Sequence, residues 1–357
     1  MFHCRVSGAV FVRKISEAFV RNAICALLLV LILFPFGRGG APQEKANPQQ
    51  PLPWAYGFAE DGSSPPPPAV CAVPQNPDAI EHVAGSTQSF THRAIQACFD
   101  SADWFPRSHP PMPEIVAHGK KPDVHACALC HYPNGQGRPE NATVVGLPIE
   151  YFIQQMNDFK HDLRKSSEPR KANAVRMINY AKNMTDDEIK VTAEYFGSMK
   201  FQPWVKVIES ADMPKTHLAA GMFIPEEGAA AGTEPLGARI REVPVNAAAT
   251  ANRDTRSGFI AYVPIGSLKK GEDIVSTGAG GKTIQCGICH GPKMQGIGPV
   301  PPLAGRSPSY MARQLYDMQH GSRNGPSAAL MKSVVANLTP DDIVNITAYL
   351  ASLPPPE

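Results

Sequence analysis

The 357-residue chain sets 34 Lys+Arg against 32 Asp+Glu, is 43% hydrophobic and contains 36 Pro and 8 Cys. That length exceeds what one hydrophobic core usually serves, which predicts two domains with extensions, and a proline share about twice the ordinary value predicts long stretches that are neither helix nor strand. The first forty residues hold five basic side chains and one acidic one, so the remainder is slightly acidic and lacks the basic stripe of a nucleic-acid binder.

Residues 1–40 read as a cleaved export signal. Scattered positive charge precedes the apolar run Ala23–Phe34, then come Pro35, Gly37, Gly39 and Gly40, with a cleavage site near Gly40-Ala41. The run is shorter than the roughly 20 residues that span a bilayer. An uncleaved signal anchor is the competing reading. Export predicts a periplasmic protein in an oxidising compartment. Residues 41–105 form a Pro-rich acidic N-terminal extension, with ten prolines in 41–77 including Pro65–Pro68. It predicts an extended, mobile arm, either a solvated tail or one laid over a basic face of the next domain.

Residues 106–200 and 265–357 share one plan. Short apolar segments near 113–119 and 271–278 end in glycine and lead to Cys-Ala-Leu-Cys-His at 127–131 and Cys-Gly-Ile-Cys-His at 286–290. Helices are predicted at 149–161 and 308–320. A last helix follows Thr185 and Thr339, the second with Pro340 in its first turn and Asp342 in a capping box. Between the copies, residues 201–264 form a connector with the β-like runs 205–208, 240–243 and 259–263, predicted to make one or two hairpins.

The separation of 159 between Cys127 and Cys286 is kept by Gly119/Gly278, Pro133/Pro292, Gly146/Gly305, Tyr151/Tyr310, Gln155/Gln314, Asp158/Asp317, His161/His320 and Arg164/Arg323. After a five-residue deletion Met177/Met331, Thr185/Thr339 and Tyr195/Tyr349 align, so one domain occurs twice. In each CxxCH, two thiols on one helical turn suit covalent attachment to a haem's two vinyl groups, and the next residue, His131 or His290, reaches the iron. The competing reading is a zinc site split between two CxxC pairs. With Cys4 and Cys25 lost in the export signal, the two thiols left over, Cys71 and Cys98, are predicted to form a disulfide over 27 residues.

On these motifs, with Leu303-Ala304-Gly305 before Tyr310 and a methionine seven residues before Leu338-Thr339, the sequence resembles the tandem di-haem class I cytochromes c of the cytochrome c4 type. The likeness covers 110–200 and 268–353. It implies a mainly α fold of two tandem class I cytochrome c domains, here with a proline-rich N-terminal arm and a partly β inter-domain connector. It further implies two covalent haem c groups, on Cys127/Cys130 and Cys286/Cys289, with His131 and Met177 ligating the first iron and His290 and Met331 the second. Met177 and Met331 are matched across the repeat and are expected in a loop before the last helix. Met184, matched to Leu338, reads as core, while His161 and His320 are rival ligands or helix C-terminal cations. Ala142 stands where the second copy has Pro301, the family proline that braces the histidine ligand.

The functional expectation is a periplasmic single-electron carrier without catalytic residues. Its donor would be a dehydrogenase or quinol-oxidising complex, its acceptor a terminal oxidase or reductase. Nucleic acid is not a partner, and the membrane is met only through partners or an uncleaved anchor. The alternatives are the cytochrome subunit of a periplasmic dehydrogenase and a di-haem peroxidase, which needs one open distal site. The apolar loop 298–303 against the polar, acid-bearing 139–144 predicts the higher potential on haem 2, with Lys120, Lys121 and Arg138 arguing the other way.

Overall fold

The computed structural model describes residues 52–59 and 71–356. The export signal and the Pro65–Pro68 run lie outside the described residues. The chain divides into the units Met1–Lys45 and Ala46–Glu357, and every described residue belongs to the second.

Each repeat folds as short helices around one apolar core. The first has Glu114–Ala117, Cys127–His131, Ile149–Lys160, Ala172–Asn183 and Asp186–Gly197; the second has Ser267–Thr277, Gly287–His290, Pro308–Gln319, Ala329–Val335 and Pro340–Ser352. The last helices start at Thr185 and Thr339, whose hydroxyls accept from the N–H of Glu188 and Asp342 while those carboxylates accept from the threonine N–H, satisfying two of the free N-terminal donors at each start. Ile343, Ile346 and Leu350 are buried on one face of the final helix. The opening helix of the second domain crosses it at Gly271, where a Cβ would run into the Asn345 carbonyl and the Tyr349 side chain. Met112 holds this register in the first copy, and the opening helix there is a single turn.

The connector is a packed layer, and its strands pair differently from the expected hairpins. Val205–Glu209, Phe259–Val263 and Arg241–Pro244 make one sheet with Phe259–Val263 central, parallel to the first strand and antiparallel to the other. The three runs read from the sequence therefore share a sheet, joined by long crossings. The local hairpin is Thr216–Ala219 with Met222–Pro225, and Asp212–Pro214 pairs with Thr233–Pro235. The sheet buries Ile240, Ala261 and Val263 with the second domain's core, and Trp204 and Phe259 with Tyr132, the residue after the first CxxCH.

Where it is described, the N-terminal extension is packed against the protein rather than a solvated tail. Leu52, Trp54, Ala55 and Tyr56 are buried in the core of the second repeat. Tyr56 donates its hydroxyl to Asp317 at 2.7 Å, Arg313 donates to the Ala55 carbonyl, and Phe58 lies under the Arg170 guanidinium. Residues 71–105 carry the ribbon of Ile80–His82 and Ser89–Thr91 and a small core of Val83, Ile95, Ala102 and Trp104. Trp104 donates its indole N–H to the connector at Asn252. Aromatic burial of this kind outweighs the chain entropy that favours a proline-rich coil.

Candidate haem sites

Both CxxCH helices present the histidine in one way. His131 Nδ1–H donates to the Ala142 carbonyl at 2.8 Å, and His290 Nδ1–H donates to the Pro301 carbonyl, also at 2.8 Å. Since a carbonyl only accepts, Nδ1 carries the proton and Nε2 is left with its lone pair for a metal. Burial pushes both imidazoles below their usual range, which keeps them neutral. Ala142 thus replaces Pro301 without loss of this bond, because the acceptor is a main-chain oxygen.

Burial raises the Cys127 thiol to about 12 and the Cys286 thiol to about 11, and raises Cys130 too. Zinc binds thiolate, and among the described residues no three of the four CxxC sulfurs meet at one point. The pairs suit covalent thioether bonds instead.

In the first domain the motif faces a cavity of about 650 Å³, lined by Cys127, Cys130, His131, Phe152, Met177 and Phe196 among others. Arg164, Lys171, Arg176 and Arg313 also line it. Lys171 donates to the Tyr56 carbonyl at 3.1 Å, and burial lowers it to about 7. An apolar wall with cations fits a flat macrocycle bearing two carboxylates. In the second domain His290 is buried, Cys286 and Met331 pack beside the core, and Cys289 is exposed.

Met177 lies in the cavity wall, but within the helix Ala172–Asn183, and Met331 lies within Ala329–Val335. The segment expected as a loop is helical in both copies. Met184 is buried and reaches the same cavity, while its counterpart Leu338 is core. The rival histidines cap their helices: His161 and His320 each donate Nδ1–H to the carbonyl four residues earlier at 2.9 Å, and both rings are exposed. Neither lines the cavity. Cys71 and Cys98 are joined, with Cα atoms 5.3 Å apart, as expected. Cys71, Ala72 and Pro74 cover one side of the cavity, and Leu218, Ala220 and Gly221 contribute as well.

The expected order of potentials loses its premises. Glu140, the acid of the first loop, is 4% exposed and ion-paired with Arg138 at 2.6 Å, and the first site is covered by the extension and the hairpin. The second leaves Cys289 exposed, with Ile288 65% and Leu330 77% exposed nearby in sequence.

Two sets of residues escaped the motif reading. Arg164 and Arg323 tie the two domains together, each reaching the other domain's tyrosine: Arg164 to Tyr310 at 3.0 Å, Arg323 to Tyr151 at 2.8 Å. The repeat spacing flagged these pairs without saying that they meet. Arg306, whose register partner is Leu147, was flagged by nothing. No helix among the described residues is long and apolar enough to cross a membrane.

A family model described as cytochrome c matches residues 269–354. Cytochrome c-554(548) of Halomonas halodenitrificans is 35% identical over 88 residues, which are 24% of this chain and 96% of that protein. Across both domains the chain is similar to the thiosulfate dehydrogenase electron acceptor of Thiomonas intermedia, 24% identical over 65% of this chain and 81% of that one. Cytochrome c4 of Pseudomonas aeruginosa is 24% identical over 64% of this chain and 83% of its own length. With two CxxCH helices, each holding its histidine by the same bond, the chain belongs to the cytochrome c family and is a di-haem, electron-transferring cytochrome with covalently bound haem c.

Proposed function

We propose that the protein is an exported carrier in which His131 and Met177 hold one haem iron and His290 and Met331 the other, passing single electrons between a dehydrogenase or quinol-oxidising donor and a terminal oxidase or reductase. The matched histidine geometry carries this reading, since two sites built alike suit two like couples. Each haem, when bound, supplies a one-electron ferric/ferrous couple. The chain's residues orient the imidazoles, and Lys171, Arg176 and Arg313 in the wall of the first site would hold the haem's carboxylates.

Partner exchange is assigned to the second domain. Residues 279–300 and 326–336 contain no Asp or Glu and hold Lys293 and Lys332 beside Lys282, which is ion-paired with Asp342, and Ile284, Ile288, Ile297 and Leu330 are exposed there. The Thr283 hydroxyl donates to the Val334 carbonyl at 2.7 Å, joining the two segments. An apolar patch with a basic rim suits an acidic partner face. A second reading, the cytochrome subunit of a dehydrogenase complex, is supported by the relative named as a thiosulfate dehydrogenase electron acceptor. The peroxidase reading needs an open distal site, and Met177 in the cavity wall weighs against it.

Intact mass, a haem-stained denaturing gel and oxidised and reduced absorption spectra test the assignment. Two haems on one chain with Met/His spectra are expected; a single haem, or a high-spin ferric site, overturns it. Purification from the native host in a stable complex with a large dehydrogenase subunit would replace the free carrier with the subunit reading.

A further inference from the structure

The loops that hold the two histidines differ in stiffness. In the second domain the acceptor is Pro301, followed by Pro302; in the first the same positions are Ala142 and Thr143. Two successive prolines fix φ at both residues, whereas an Ala-Thr pair leaves the chain free to move. Yet the histidine bonds are equal in length, so something else must hold the first loop.

Part of the hold is local, since Asn141 Nδ2 donates to the Cys130 carbonyl at 3.2 Å and the Thr143 hydroxyl to the Gln136 carbonyl at 2.7 Å; the rest comes from the other domain. Arg306 is 3% exposed. Its Nη1 donates to the Thr143 carbonyl at 2.9 Å and its Nη2 to the Val145 carbonyl at 3.2 Å, one and three residues past Ala142. Its Nε donates to the Pro302 carbonyl at 2.8 Å, one residue past Pro301, and its guanidinium lies over the Phe201 ring. Arg313, also buried, donates to the Pro139 carbonyl at 2.8 Å at the start of the same loop. One planar fork thus spans both acceptor loops, a task suited to guanidinium rather than ammonium.

We infer that Arg306 is a positioning residue that clamps the Ala142 loop from the second domain and so fixes the His131 imidazole, replacing the brace that Pro301 and Pro302 supply at His290. The inference rests on the two histidines being haem ligands. It makes the first site depend in part on the second domain, while the second is braced by the prolines of its own loop.

Hydrogen exchange of the two histidine Nδ1–H protons, followed by NMR in the reduced holoprotein, tests it. Losing one net hydrogen bond in the clamp corresponds to about tenfold in local opening. Arg306→Gln is expected to speed exchange at His131 about tenfold or more and to leave His290 within about twofold. Ala142→Pro added to R306Q is expected to restore protection at His131. Arg306→Lys, which keeps the charge without the fork, should fall on the side of R306Q and serves if the glutamine variant is too unstable to purify. Equal protection of His131 in wild type and variants, or equal loss at both histidines, overturns the clamp alone. A His131 Nδ1–H without a haem-induced shift in the wild type overturns the ligand assignment and the clamp with it.

Discussion

Arg164 and Arg323 face each other across the contact between the two haem domains as an antiparallel backbone bridge, with Lys165 N–H donating to the Ser322 carbonyl at 2.8 Å and Asn324 N–H to the Leu163 carbonyl at 2.7 Å. Their side chains repeat the exchange. Arg164 reaches Tyr310 and Gln314, Arg323 reaches Tyr151 and Gln155, and each also bonds the glutamine of its own domain. Residues separated by 159 in sequence are thereby related by a local two-fold relation, and two buried guanidiniums share amide and phenol acceptors.

The shared acceptors predict strong coupling. Arg164→Leu strands the Tyr310 hydroxyl, leaves Gln155 and Gln314 to Arg323 alone, and should cost about 1–3 kcal/mol. The double variant with Arg323→Leu should depart from additivity by about 0.5–3 kcal/mol. Denaturant unfolding of the single and double variants reads this directly, and additive losses would mean that the two arginines act apart.

The haem motifs were legible because CxxCH is a local pattern, and the repeat because equal spacing needs no structure to detect. What the pairs do was not, since their partners lie in the other copy, 146 residues on for Arg164 and Tyr310. Arg306 escaped because its counterpart is Leu147, so the repeat is silent there. The Met177 segment read as a loop because its helix begins at Lys171 without a side-chain cap, whereas Thr185 and Thr339 announced theirs. The extension read as a tail because its prolines are plain in the sequence, while the burial of Trp54 and Tyr56 depends on a core supplied some 260 residues away.

The methionine assignment predicts separate effects. Met177→Ala and Met331→Ala should each remove one share of the Met–iron charge-transfer band and lower the potential of that domain's haem alone, because a thioether ligand favours ferrous iron. Met184→Leu should leave the band in place. Spectra and redox titration of the three variants check this, and loss of the band in the Met184 variant would move the ligand from Met177 to the neighbouring end of the same helix.

The covered first site predicts that haem 1 holds its electron more tightly than haem 2, the reverse of what loop composition suggests. Ferric haem carries one more positive charge than ferrous, so burial and the nearby Arg176 penalise it, while the ion pair with Arg138 offsets the Glu140 charge. Electrons entering at the exposed second domain would then come to rest in the first. A redox titration in the Met177 and Met331 variants assigns each wave to a domain; the higher wave belonging to the second domain would refute the order.

Glu242 makes the stability of the fold depend on pH. It sits on the fully buried strand Arg241–Pro244 and accepts from the Ser307 hydroxyl at 2.8 Å and the Ser309 N–H at 3.3 Å, closing the start of the helix Pro308–Gln319. These donors and Arg313 favour the ionised carboxyl, but burial outweighs them and raises it above its ordinary value of 4.5. For a carboxyl raised in the folded state, stability is full below the unfolded value and is lost as pH rises from there through the folded one. Glu242→Gln keeps an acceptor for the helix start and removes the ionisation. The variant should match the wild type near pH 4 and melt higher than it above that. The gap should widen by about 1.4 kcal/mol per pH unit until the raised value is reached, and hold constant beyond it. Thermal melts of the holoprotein across that range decide the point, and a constant difference between the two proteins at every pH would show that Glu242 stays in one charge state throughout.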